Sequence, residues 1–183
     1  MLRIVLFCLA SLALLPLSWR SLRHVRAHGF PRFFAFELLL ALILCNGPMW
    51  FRDPFSVRQW AAWILGAVSI ALAVEGFRLL HQMGKPQSVA VAGTDLPFEN
   101  TTRIVTTGAY RWIRHPLYTS LLTLALSAYL KNPLNLWNSL MTLGVGSSLL
   151  ATAMAEEREN LQRFGTTYAN YMRSTKRFIP FVF

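Results

Sequence analysis

Two short runs hold most of the polar chemistry of this chain. The first is Gly108-Ala109-Tyr110-Arg111-Trp112-Ile113-Arg114-His115-Pro116-Leu117-Tyr118. The second is Glu156-Glu157-Arg158-Glu159, followed by Phe164-Gly165-x-x-Tyr168-x-x-Tyr171. Pro116 suits the first turn of a helix, where a missing N–H costs nothing. Free N–H groups at such a start, with Arg114 and His115 beside them, make a site for an anion. The adjacent carboxylates Glu156 and Glu157 suit an ammonium or a set of hydroxyls. Tyr110, Trp112 and Tyr118 offer aromatic faces to a flat ring or a cation. A ligand with a carboxylate, an ammonium, a sulfonium and a purine finds a partner for each. S-adenosylmethionine is such a ligand, and it is cytosolic. Each part alone has a plainer reading. Arg114 and His115 fit interface anchors, the two glutamates a solvated helix end, and Tyr168 with Tyr171 an interfacial belt. Their conjunction is what points to a ligand.

Helices must carry these runs. Hydrophobic residues make up 54% of the 183 and charged residues only 14%, against roughly a quarter in soluble domains. A membrane-spanning helix needs about 20 mostly apolar residues. Candidates are 2–19, 33–51, 59–80, 117–130 and 135–155, with Lys131-Asn132-Pro133 as a turn that makes the last two an antiparallel hairpin. The expected fold is an all-α integral membrane domain of about five spans. Residues 1–80 supply three of them, and residues 81–183 supply a cofactor-binding connection, the hairpin and a tail. Glu156 and Glu157 then close the fifth span, where the helix dipole disfavours negative charge. The hairpin returns them to Arg114 and His115. The stretch before Arg20 has the length of a signal peptide but no Ala-x-Ala-like cleavage site, which predicts a retained helix.

The basic residues set the orientation. Fourteen of the 18 Lys and Arg fall in 20–32, 78–114 and the tail, while Arg3, Arg52, Arg58 and Lys131 fall on the other side. This alternation predicts an N-terminus outside and a cytosolic C-terminus, in a cell inner membrane or the endoplasmic reticulum. The net charge of +10 does not indicate nucleic acid, because the basic residues sit between apolar runs and form no continuous face. It suits anionic cytosolic lipid. Cys8 and Cys45 lie inside apolar runs and make neither a disulfide framework nor a metal site. Asn100-Thr101-Thr102 fits a glycosylation acceptor but falls in the cytosolic connection, which makes it a chance occurrence. Glu37 and Glu75 interrupt apolar runs. An intramembrane carboxylate is a functional candidate, here on the substrate side with Tyr168 and Tyr171; the alternative is a structural residue paired with Arg32, Arg78 or His81.

The run Gly108-x-Tyr110-Arg111-x-x-Arg114-His115-Pro116-x-Tyr118 resembles the first signature of the isoprenylcysteine carboxyl methyltransferase and phospholipid methyltransferase superfamily. The run Glu156-Glu157-x-x-x-Leu161-x-x-Phe164-Gly165-x-x-Tyr168-x-x-Tyr171, ending at Phe178-Ile179-Pro180, resembles the second. The likeness covers Thr106 to Pro180. It implies an integral membrane enzyme that transfers a methyl from S-adenosylmethionine to a lipid-like, isoprenoid or other membrane-resident acceptor. The cofactor would be held by Gly108, Tyr110, Arg114, His115, Pro116, Tyr118, Glu156 and Glu157. Glu156 or Glu157 would serve as base for an amine acceptor. Thr119-Ser120 follows the motif tyrosine where many members have Gly or Ala. Ala153, Met154 and Ala155 stand where the eukaryotic carboxyl methyltransferases carry an arginine, which argues against a prenylcysteine acceptor.

Two further readings remain open on the sequence. One is an NADPH-dependent membrane reductase of the sterol-reductase type, whose C-terminal layout is similar. The other is a non-catalytic membrane binding or assembly protein. The topology itself is testable. Reporter fusions at the C-terminus and within 81–114 are expected to read cytosolic, and an external signal from either would overturn the orientation.

Overall fold

The computed structural model describes residues 1–85, 101–133 and 135–183. Pro86, Gly93, Pro97 and Asn100 of the long connection therefore lie outside the described residues. Among those described, the chain is all-helical, with seven α-helices: α1 (Leu2–Leu17), α2 (Trp19–Arg23), α3 (Gly29–Cys45), α4 (Val57–Met83), α5 (Pro116–Lys131), α6 (Leu136–Phe164) and α7 (Thr166–Ser174). Two short 3-10 turns, Gly47–Met49 and Gly108–Arg111, complete the regular structure. The one β-type pairing among them is an isolated parallel bridge between Ile113 and Lys176.

Local chemistry explains the helix ends. The Ser56 hydroxyl accepts from the Gln59 N–H at 3.3 Å and starts α4. Pro116 occupies the first turn of α5, as its missing N–H favours. The Asn135 side chain accepts from the N–H groups of Trp137 and Asn138 at the head of α6. Gly165, at φ +56°, ends α6 and turns the chain directly into α7.

Helices α4 and α5 pack most extensively, then α3 and α6. Close backbone approach makes this possible: a Cβ at Gly144 on α6 would come within 2.8 Å of Leu38 on α3. The core joins Leu39 and Leu42 of α3, Tyr118 and Ala125 of α5, and Val145 and Leu149 of α6. Outside it, large apolar side chains face away from the protein, among them Leu9, Leu12, Ile64, Ile70 and Leu143. Among the described residues, α4 is the one helix long and apolar enough to cross a membrane, and α1 is apolar but shorter.

The helix expected over 135–155 differs from the expectation in its end. Helix α6 does not stop at Glu156 and Glu157 but runs on to Phe164. Both glutamates thus sit inside a helix, beyond its apolar part, and the helix dipole is not what decides their energetics. Their partners decide it.

Candidate functional site

Glu157 is the most heavily engaged of the polar groups. Its side chain is 5% exposed. Arg114 Nε donates to Oε1 at 2.9 Å, Arg177 Nε to Oε1 at 3.1 Å, and Arg177 Nη2 to Oε2 at 2.7 Å. His115 Nε2 lies 3.3 Å from Oε1. Arg114 is engaged further: its Nη1 donates to the carbonyls of Met172 and Thr175 at 3.2 and 2.5 Å. The tail is drawn in alongside. The N–H groups of Arg114 and His115 donate to the carbonyls of Lys176 and Arg177, and Lys176 N–H donates to Trp112.

Part of the donor set expected for an anion at the start of α5 is thus engaged within the protein: the N–H groups of Arg114 and His115 bond the tail, and Arg114 pairs with Glu157.

Glu156 has the opposite fate. Successive helical residues point about 100° apart, so it turns away from the arginines. Its side chain is 30% exposed. Tyr118 Oη donates to Oε2 at 2.6 Å, and His115 Nδ1 lies 3.7 Å from the same oxygen. The imidazole stacks on the Tyr118 ring with centroids 5.3 Å apart. Glu156 faces two small adjoining pockets, both lined by Leu80, Thr101, Tyr110, Arg114, Glu156 and Asn160. His115 and Tyr118 line the first pocket; Arg103, Phe164, Tyr168 and Tyr171 line the second.

The two runs, some 40 residues apart in sequence, therefore meet as expected, but the expected residues divide in role. Tyr110, Arg114, His115, Tyr118 and Glu156 line the pockets, whereas Gly108, Pro116 and Glu157 do not. Gly108 shapes the loop: its φ is +58°, and a Cβ there would lie 2.5 Å from Glu75 Oε1. Glu75 accepts the Ala109 N–H at 3.1 Å and so fixes the turn that carries Tyr110. Its partner is this backbone, not the Arg78 or His81 that the sequence offered. Glu37 accepts from Ser11 Oγ at 2.6 Å between α1 and α3, and lines neither pocket. Tyr168 and Tyr171 are buried. They do not form a surface belt, and Tyr171 Oη donates to the Tyr110 carbonyl at 2.7 Å.

Several residues of the site escaped the sequence reading, among them Thr101, Arg103, Asn160 and Arg177. Asn160 lies one helical turn after Glu156 and was legible from the i, i+4 spacing. Arg177 was not, because it reaches Glu157 only through the parallel pairing of the tail with residues 112–115.

Charges in the site follow from burial. Burial pushes the Tyr110 phenol well above its ordinary 10.0, with the Glu156 charge adding to it. Burial and Glu156 likewise raise Tyr168, and burial with Tyr168 raises Tyr171. The three phenols therefore remain neutral. Burial opposes the Glu157 charge, but hydrogen bonds from His115, Arg177 and Arg114 outweigh it and hold this carboxyl well below its ordinary 4.5.

No family model, curated protein or solved structure matches the chain.

Removing one partner of a buried ion group leaves its counter-charges uncompensated, at about 3–5 kcal/mol. Glu157→Gln is expected to destabilise the fold by that order, and Glu156→Gln to leave it near wild type, in thermal melts in detergent. A carboxyl lowered on folding adds stability that is full above its unfolded value and is lost as pH falls below it. The wild type should accordingly melt lower as pH drops below 4.5, and Glu157→Gln should lose most of that dependence.

Proposed function

We propose that the protein is an integral membrane methyltransferase that uses S-adenosylmethionine and acts on a membrane-resident, lipid-like acceptor. The observation that carries this reading is the separation of two adjacent carboxylates. Glu157 is neutralised by arginines, and Glu156 is turned, partly exposed, into a pocket walled by tyrosines. A carboxylate among aromatic faces is a host for a cationic ligand. The resemblance of Thr106–Pro180 to the carboxyl and phospholipid methyltransferase superfamily supports the same cofactor.

The linings of the pockets suit it in chemistry. The two pockets adjoin through six shared residues. Glu156 suits the ammonium, the Tyr110 and Tyr118 rings suit the sulfonium or the purine, and Asn160 and Thr101 offer polar contacts for hydroxyls. Arg103, in the second pocket, replaces Arg114 as the partner for a carboxylate. A dinucleotide such as NADPH is a poorer match. Its phosphates need cations, whereas Arg114 is already neutralised and Glu156 stands beside it.

We further propose five spans, with the N-terminus outside and the pockets at the cytosolic face. The basic residues support this orientation, because Arg103, Arg114 and Arg177 gather at the site end of the bundle. Arg58 and Lys131 lie at the opposite end, where Arg58 donates to the Leu130 and Lys131 carbonyls. The cofactor would then enter from the cytosol and the acceptor from lipid.

S-adenosylmethionine supplies an electrophilic methyl group. The chain would contribute alignment, which is worth several kcal/mol when reacting atoms are held in place. Glu156 would hold the cationic end of the cofactor. Tyr118 and His115 hold the Glu156 carboxylate in position from one side. An acceptor that is already an unprotonated nucleophile needs no base.

Loss of a charge-assisted hydrogen bond costs about 1.5–3 kcal/mol, or roughly ten- to hundredfold in affinity. Calorimetric titration of S-adenosylmethionine into detergent-purified Glu156→Gln is expected to show a loss of that size from wild type. NADPH is expected to give no heat with either protein. Full affinity in Glu156→Gln would remove the basis of the assignment.

A further inference from the structure

We propose that a groove on another face of α6 binds the headgroup of an anionic phospholipid from the cytosolic leaflet. The groove, of about 700 Å³, lies between the α2–α3 junction and α6. One wall carries Arg26, Phe30 and Pro31; the other carries Ala151, Ala155 and Arg158.

Order along each wall identifies the occupant. On α6, residues 151, 155 and 158 share one helical side at spacings of four and three. They run from apolar to cationic over about 10 Å, at 1.5 Å per residue. On the facing wall, Phe30 and Pro31 lie within α3, and Arg26 lies before it. Helix α3 runs away from the cytosolic end and α6 runs toward it, so both walls grade from apolar to cationic in the same direction. A glycerophospholipid has that order, with acyl carbons first and phosphate last. A free phosphate would gain nothing from the apolar part.

The groove also has a net positive charge to offer. Glu159 lines it, but its oxygens are taken by His28, with Nδ1 at 2.6 Å and the N–H at 2.9 Å. Neither Arg26 nor Arg158 takes part in an ion pair among the described residues. Basic pockets between helices at the cytosolic side are the usual places for acidic lipid headgroups. The pocket of Glu156 and Asn160 lies on a different side of α6, so this site is independent of the methyl-transfer reading and survives its failure.

Native mass spectrometry of the full chain tests it, using phosphatidylglycerol and phosphatidylcholine with matched acyl chains. Wild type is expected to retain phosphatidylglycerol preferentially. The double variant Arg26→Gln/Arg158→Gln is expected to lose about 30-fold in that retention, at roughly fivefold per cation, with phosphatidylcholine unchanged. Arg23→Gln/Arg163→Gln removes the same charge outside the groove lining and should keep the wild-type preference. Ala155→Trp fills the groove without altering charge and should also lower phosphatidylglycerol retention. Excess inorganic phosphate should displace nothing. An equal loss in both arginine pairs, no loss in the first pair or in Ala155→Trp, or displacement by phosphate would each overturn the proposal.

Discussion

A carboxylate with 5% of its surface exposed is tolerable only when its charge is answered by donors on every side. Glu157 meets that demand with Arg114 and His115 from the segment before α5 and Arg177 from the tail. Three separated parts of the chain are thereby committed to one point. Arg114 extends the commitment by donating to Met172 and Thr175 at the end of α7. Once these bonds are made, the 100° step of the helix leaves Glu156 a single direction, toward the tyrosines. The pocket is a consequence of satisfying its neighbour, and it stays open because Glu156 keeps 30% of its surface exposed.

The far end of the bundle obeys the same rule without producing a pocket there. Lys131 is 1% exposed. Its ammonium donates to Gln59 Oε1 at 2.8 Å and sits 3.5 Å from the centre of the Trp63 ring. Gln59 in turn donates to the Met49 and Arg52 carbonyls. Asn138 bridges Asn46 and the Asn132 carbonyl, and Asn46 reaches Ala128. Buried polar groups linked this completely fix helix register. With α3, α4, α5 and α6 tied at this end, the residues at the other end are held in depth as well as in direction.

Much of this was legible in the sequence because it follows from periodicity and spacing. The helices, the turn at Lys131-Asn132-Pro133 and the meeting of His115 with the glutamates all come from apolar run lengths and one short connection. The division of labour between Glu156 and Glu157 was not legible, since identical side chains differ only in which way the helix turns them. The pairing of Arg114 with Glu157 and two carbonyls was not legible for a related reason, since it depends on which glutamate the helix turns inward. Glu75 read as an intramembrane functional group and proved to cap a turn, because the close approach of Gly108 is a tertiary fact. Arg177 stayed invisible, since no local pattern announces that a tail will run parallel to residues 112–115.

The central claim is that Glu156 and the tyrosines around it hold a methyl donor against an acceptor from the membrane. Incubation of the purified protein with methyl-deuterated S-adenosylmethionine and a total membrane lipid extract tests it, with mass detection of the lipid-soluble products. The account predicts a lipid species that gains one deuterated methyl with wild type and fails to gain it with folded Glu156→Gln. Equal labelling by both proteins, or no labelled lipid from wild type, would contradict it.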